Sequence, residues 1–373
     1  MRGRFFVQDE RSGKKAISAM LALTVAAFLL APMAFAIQIK QGYAASADGV
    51  VTQSAGAFNK PGNLLITDQF NNRVIEVDPA TKQIVWSFGS GNSNLCNPGP
   101  HSVIGSNDAE RLGDGLTLIA GTGIPPGVNG TTACADNRVI VVDQAGNIVW
   151  QYGQAGVAGN GTNLLNVPVF AIQTPNHDIM ITDQANNRVI EVNKAKNVVW
   201  SYGPTSGPGA LNSPNSAELL PNGHILIADE GNNRVIEITR AGQIVWQFGA
   251  GISGAAFASR LPNGDTLITD AGNSRIFEIN AAKHIVFQYF TNRGPHSNPA
   301  PTPTNAVRLS DGNTIIADQN NDRAIIINPS KHIVFQYGMT NVAGNAPNQL
   351  FGPYTAYIVG DYTGQTPPPI HFG

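Results

Sequence analysis

Three residue types that bind ions recur at one spacing. The pattern D-x-x-N-x-R occurs at Asp68, Asn71 and Arg73, at Asp183, Asn186 and Arg188, and at Asp229, Asn232 and Arg234. It returns at Asp270, Asn273 and Arg275, and at Asp318, Asn321 and Arg323. A ring of such groups could hold calcium or an anion. The competing use is structural: Asp at a strand end accepts turn N–H groups, and Arg pairs with it across the hairpin. A motif written into copy after copy of a unit serves the unit, so the structural use is preferred. One copy breaks the rule, with Gly121 where the aspartate belongs. Cys96 and Cys134, the only cysteines, form an even pair that reads as a disulfide in an exported chain. Two free thiols, or a metal pair with His101, are the competing readings. There is no G-x-S-x-G, no Walker loop, no C-x-x-C, and no cluster of His and carboxylates of the kind a catalytic metal needs.

The elements that carry these residues follow from self-similarity. An aromatic closes each of six copies, at Trp86, Trp150, Trp200, Trp246, Phe287 and Phe335. The interior of each copy is rigidly spaced while the joints vary, which describes one structural unit repeated. The fourth copy holds three short apolar runs, HILIA, RVIEI and IVWQF, separated by turn residues. A fourth run precedes them and ends in a hairpin turn: SAELL before Pro221, AFASRL before Pro262, NAVRL before Asp311. No helical period of ten or more residues appears after residue 36. The expected fold is therefore all-β: a six-bladed propeller of four-stranded antiparallel blades of about 45 residues each. The C-terminal stretch PYTAYIVGDYTG from Pro353 matches an inner strand and turn, and is expected to close the ring against blade one. The segment from Val50 competes for that place.

Composition agrees. Charged residues are only 13%, against 40 Gly and 24 Pro, as expected where blades bury both faces and turns consume glycine. A net charge of −2 argues against nucleic acid as a partner. Arg2, Arg4, Arg11, Lys14 and Lys15 precede the apolar run Ala16–Met33 and an A-x-A site at Ala34–Ala36. Residues 1–36 read as a signal peptide, or as an uncleaved N-terminal anchor, and 37–49 as a spacer. Residues 50–360 form the propeller and 361–373 a tail. Either reading of the leader places the ring outside the cytoplasm: secreted, periplasmic or at the cell surface.

Strand order sorts the loops onto two faces. The joints between blades and the turns between second and third strands share one face, here called the top. The remaining turns share the bottom, where His177, His224, His284 and His332 fall. Both cysteines and the two GPHS segments, Gly99–Ser102 and Gly294–Ser297, map to the top. Aligning the inner strands puts His101, Ser102, Phe170, Asn215, Phe257, Asn305 and Tyr354 on the rim of the channel mouth. His101 is the one histidine among these rim residues, the residue type suited to acid–base chemistry at neutral pH.

The phrase D-x-x-N-N-R-V-I-E-V/I followed by IVWQFG or IVWSYG resembles the NHL-repeat propellers. LPNGHILIADEGNNRVIEITRAGQIVW also resembles propellers of the arylsulfotransferase family, and the Trp-bearing strand ends resemble quinoprotein propellers. The first resemblance implies a binding platform, with lyases among its relatives. The second implies a histidine nucleophile in the channel, for which His101 is the candidate. The expectation is a non-catalytic platform that takes a small molecule or an extracytoplasmic protein on its top face, without cofactor or metal. The alternative is an arylsulfotransferase-like or lyase-like enzyme acting through His101. Contact with a membrane is expected only through the N-terminal anchor.

Overall fold

β-Branched residues and tight turns build each repeat in the same way. In blade four the inner strand Pro214–Leu219 turns back into Ile225–Asp229, then Arg234–Ile238, then the outer strand Ile244–Phe248. All neighbours are antiparallel, with Asp229 opposite Arg234 and Ile225 opposite Ile238. The computed structural model describes residues 56–128, 132–361 and 371–372. It contains six such four-stranded sheets. Among the described residues the helical pieces within the blades are single 3-10 turns, as at Glu230–Asn232. Each outer pair slips register by a bulge near its bottom end, at Glu237 and Ile238 in blade four, which adds twist where the blade fans out.

The ring closes as the sequence predicts. Pro353–Ile358 lies beside Leu64–Asp68, with Leu64 opposite Ile358 and Asp68 opposite Pro353. The last strand of the chain is thus the innermost strand of the first blade. The leader, the spacer, residues 50–55 of the segment from Val50 and most of the C-terminal tail lie outside the described residues; residues 56–59 form a turn and not the inner strand of blade one. Among the described residues no helix is long and apolar enough to cross a membrane.

The core sits between blades. Ile66, Ile75, Ile225, Ile227 and Ile236 are fully buried and join residues of neighbouring blades in one continuous cluster. Both faces of each sheet are covered, so the second and third strands read as near-continuous apolar runs instead of alternating.

The repeated Asp, Asn and Arg are consumed by this architecture. Asp229 Oδ2 accepts from Asn232 Nδ2 at 2.8 Å and Arg234 Nε at 2.7 Å, while its Oδ1 accepts the Asn212 N–H at 2.8 Å, just before the inner strand. Asp68, Asp183 and Asp270 make the same three bonds, with Arg73, Arg188 and Arg275 as partners. Asp318 pairs with Arg323 at 2.8 Å. The residue before each Arg adopts the left-handed conformation (φ 52° at Asn233), and the Asn233 side chain accepts the N–H of Gly254 in the next blade at 2.7 Å. The motif therefore ties its own inner strand and the following blade together. Asp229→Ala should lower unfolding free energy by roughly 1–3 kcal/mol, because it removes the shared acceptor of Arg234 Nε, Asn232 Nδ2 and the Asn212 N–H. Chemical denaturation of the variant measures it, and an unchanged midpoint would remove the structural assignment.

Blade two keeps this tie with different residues. Gly121 stands opposite Arg138 where the other blades place the aspartate. Asp136, two residues before Arg138, supplies the carboxylate instead: it pairs with Arg138 and accepts the Ile104 N–H at 2.7 Å. A Cβ on residue 121 would lie 2.7 Å from the Asp136 carboxyl carbon, so only glycine fits beside it.

Candidate functional site at the channel mouth and top face

The inner strands place the mouth residues. In blade two this strand is Ser106–Arg111, with Ser106 opposite Gly121 just as Pro214 stands opposite Asp229. Asn107 and Asp108 therefore hold the rim positions assigned from sequence to His101 and Ser102. His101 lies in the joint before the strand, exposed, its Nδ1 2.9 Å from the Gly146 carbonyl in the turn between the third and outer strands. That is a bottom turn, so the joint runs down the outer edge of blade two and His101 is not at the top face as expected. Ser102 bridges within the same joint, its Oγ accepting the Gly99 N–H at 2.6 Å. This corrects the alignment. The GPHS segment looks like a strand start, but the true strand carries the Ala109–Leu112 pattern followed by a G-D-G turn.

The other rim residues converge on the axis. Asn215 of blade four donates to Glu230 Oε2 at 2.7 Å and bonds the Tyr354 hydroxyl of blade one, also at 2.7 Å. Thr304 Oγ1 donates to the Tyr354 carbonyl at 2.6 Å. Phe170 and Phe257 meet edge to face at 5.7 Å. Asn305 is fully buried, its Oδ1 3.4 Å from the Ala356 N–H. Gln319, Gln69 and Asn107 continue the chain of amide bonds at 2.7 Å each. The mouth is thus closed by side chains bonded to one another across the ring.

From the rim inward, starting at Asp108, lies a group that the sequence reasoning missed. Tyr357 donates to Asp108 Oδ1 at 3.0 Å, while Asp108 Oδ2 accepts the Ala171 N–H and Glu110 accepts the Gln173 N–H. The carboxylates of Asp108, Glu110 and Glu218 add to the burial that pushes the Tyr357 hydroxyl well above its usual value. Burial lifts Asp108 to about 7 and Glu110 to about 8, with the Asp108 charge adding to the latter. Glu110 keeps accessible surface although protein surrounds it, as a side chain lining a narrow channel does.

The sign of the pH effect follows from those shifts. Raised carboxyls bind protons in the folded state that the unfolded chain releases near pH 4, so their neutral forms favour folding at low pH. That contribution declines as pH rises from about 4 through about 8. Asp108→Asn should flatten the fall in melting temperature between pH 5 and pH 8 (roughly the window of those two groups). A slope unchanged in the variant would show that Asp108 is ionised throughout.

Above the closed mouth stand the loops. Cys96 and Cys134 are bonded, Cα to Cα 5.1 Å, and fasten the joint into blade two to its long hairpin. Pro125, Pro126 and Gly127 at the hairpin tip are exposed, as are Pro295 and His296 in the joint into blade six. Val157, Met339 and Val342, in the joints after blades two and six, are 45%, 45% and 41% exposed. Beside blade two, a cavity of about 550 Å³ has His101 and Arg138 on its wall. The Arg138 guanidinium is already held by Asp136, the Ser102 carbonyl at 2.9 Å and the Gly99 carbonyl at 3.3 Å. Among the described residues no three His, Cys, Asp or Glu side chains are grouped to hold a metal ion.

Fold and motif together define a disulfide-fastened six-bladed propeller with a closed axis and a loop crown. The chain belongs to the family described as outer membrane protein assembly factor BamB, whose model matches residues 70–331. This differs from the NHL-repeat and arylsulfotransferase families that the motif wording resembles. No curated protein matches the chain. Solved structures share the fold at low identity. A protein of unknown function from Bacteroides caccae is 16% identical, covers 80% of this chain and 98% of its own, and has a TM-score of 0.55. A streptogramin B lyase is 14% identical over 82% and 87% of the two chains, with a TM-score of 0.51. Virginiamycin B lyase from Staphylococcus aureus is 15% identical over 80% and 85%, with a TM-score of 0.50.

Proposed function

We propose that this chain is an extracytoplasmic, non-catalytic platform whose top face holds a protein partner. One observation carries the reading. The channel mouth is filled by side chains that bond each other, while the loops around it expose Pro125, Pro126, Val157, Met339 and Val342. An apolar crown over a plugged axis suits a macromolecular surface better than a small ligand. The family description, an outer membrane protein assembly factor, also belongs to a protein that works on other proteins. The disulfide fits an oxidising compartment. Photo-crosslinking from residues 157 and 339 in the exporting cell should give one defined adduct, and residue 222, at a bottom turn, should not give it. The same adduct from all three positions would remove the face assignment.

A second reading, an enzyme acting through His101, is favoured by the cavity that His101 shares with Arg138. Aryl sulfates with a phenol acceptor test it. Turnover that vanishes in His101→Ala, with fold and disulfide intact, would replace the platform by a catalyst.

A further inference from the structure

The outer rim of the bottom face carries aromatic seats between successive blades, and the chain fills two of its own. Between blades one and two, Phe58 packs on Trp86 with ring centroids 5.7 Å apart. The Arg111 guanidinium caps both rings, 4.1 Å from the Phe58 centroid and 4.8 Å from that of Trp86. Arg111 also bonds Glu76 Oε2 at 2.6 Å and the Gly115 carbonyl at 3.3 Å. The residues after Phe58 finish the seat: the N–H groups of Asn59 and Lys60 point to Glu76, at 3.1 and 3.4 Å. Between blades two and three, Phe372 meets Trp150 at 5.9 Å, with its N–H on Asp114 at 2.8 Å.

Between blades four and five the first socket recurs at four positions. Trp246 stands for Trp86, Arg260 for Arg111, Glu237 for Glu76 and Gly264 for Gly115. Arg260 lies 4.9 Å over Trp246, bonds Glu237 Oε2 at 2.8 Å and the Gly264 carbonyl at 3.4 Å. What differs is what Phe58 covers. The Arg260 side chain is 15% exposed against 2% for Arg111. Val245 is 50% exposed where Val85, its counterpart beside Trp86, is 3%. Trp246 is half-buried, while Trp86 is fully buried. Among the described residues no backbone N–H reaches Glu237. One face of the guanidinium is left uncovered, and the carboxylate carries only side-chain partners: Arg260 on Oε2, and on Oε1 His224 Nδ1 at 2.7 Å, where Asn63 Nδ2 meets Glu76 Oε1 at 2.6 Å in the filled socket.

We propose that this socket docks an aromatic side chain from an extended segment of a partner polypeptide. The ring stacks on Arg260 beside Trp246, and the following backbone N–H groups donate to Glu237. The chain's own Phe58 segment already uses this geometry on the same rim, and Phe372 fills a second aromatic seat there with different polar partners, so the ligand chemistry is taken from the molecule itself. The site is remote from the top face and independent of the role assigned there.

The probe is a labelled peptide with the sequence of residues 55–62, Ala-Gly-Ala-Phe-Asn-Lys-Pro-Gly, titrated against the whole folded chain. It should bind saturably and change tryptophan emission. Replacing its Phe by Ala should weaken binding at least about tenfold, the value of burying one such ring. Trp246→Phe, an aromatic that blades five and six already use at this position, should keep binding and lose the emission change. Arg260→Gln should weaken binding by about tenfold in a chain that still folds. A benzoyl-phenylalanine version of the peptide should crosslink to residues 245–264. Equal affinity for the Ala peptide, or crosslinks confined to the blade-one socket, would overturn the proposal. Self-association of the chain lost in Arg260→Gln would assign the socket to a second copy instead.

Discussion

Returning the repeat's own aspartate to blade two, as Gly121→Asp, is expected to destabilise the protein by about 3–5 kcal/mol, although five blades carry that residue. Asp136 already occupies the space, and a Cβ on residue 121 would approach its carboxyl carbon to 2.7 Å. The new carboxylate would be buried beside a fully buried one, with a single Arg138 to serve both. Two adjacent acids cannot both ionise there, so one must take up a proton or the hairpin must open. The double variant Gly121→Asp with Asp136→Gly tests the cause. It recreates the arrangement at Asp229 and Arg234, and should recover most of the loss. Equilibrium denaturation of the two variants decides the matter. A harmless single variant, or a double variant no better than the single, would show that Asp136 does not replace the missing aspartate.

Opening the disulfide should have a comparable effect. Cys96 and Cys134 are 38 residues apart, and closing a loop of that length stabilises the folded state by about 3–4 kcal/mol on the chain-entropy estimate. The bond also holds the blade-two hairpin against Phe70, Ile104 and Ile124, with which Cys134 packs. Cys96→Ala with Cys134→Ala should therefore melt earlier, and its amide exchange should rise first at residues 117–142. Mass spectrometry of the unreduced protein should find no free thiol. Equal stability of the reduced and oxidised chains would mean that the hairpin holds its place without the bond.

The architecture was legible because the repeat interior is rigid. The Arg-to-aromatic spacing marks each blade, and the match of Pro353–Ile358 to an inner strand locates the closure. The mouth was read less well, for a definable reason. Blade two has lost its aspartate and gained a long hairpin, so the landmarks used to align the others fail there. GPHS, repeated before blade six, then drew the alignment to His101. The run Asn107–Leu112 followed by G-D-G was the better match to Asn215–Leu220 and P-N-G, and would have placed Asp108 on the axis. Asp136 had no local signal, since its role appears only when strands pair. The seats of Phe58 and Phe372 had none either. They lie outside the repeat, and only the filled and unfilled sockets side by side reveal what they do.

The platform assignment is tested most directly by affinity for the partner captured from residues 157 and 339. Calorimetry would compare the native chain with the variant Val157→Glu, Met339→Glu, Val342→Glu. These side chains are exposed and stand clear of the core, so the melting temperature should not move. The expected result is a loss of affinity of at least about a hundredfold, since charges would replace three apolar contacts at the centre of the interface. An affinity unchanged by the three charges, in a protein that still folds, would contradict the assignment of binding to the top face.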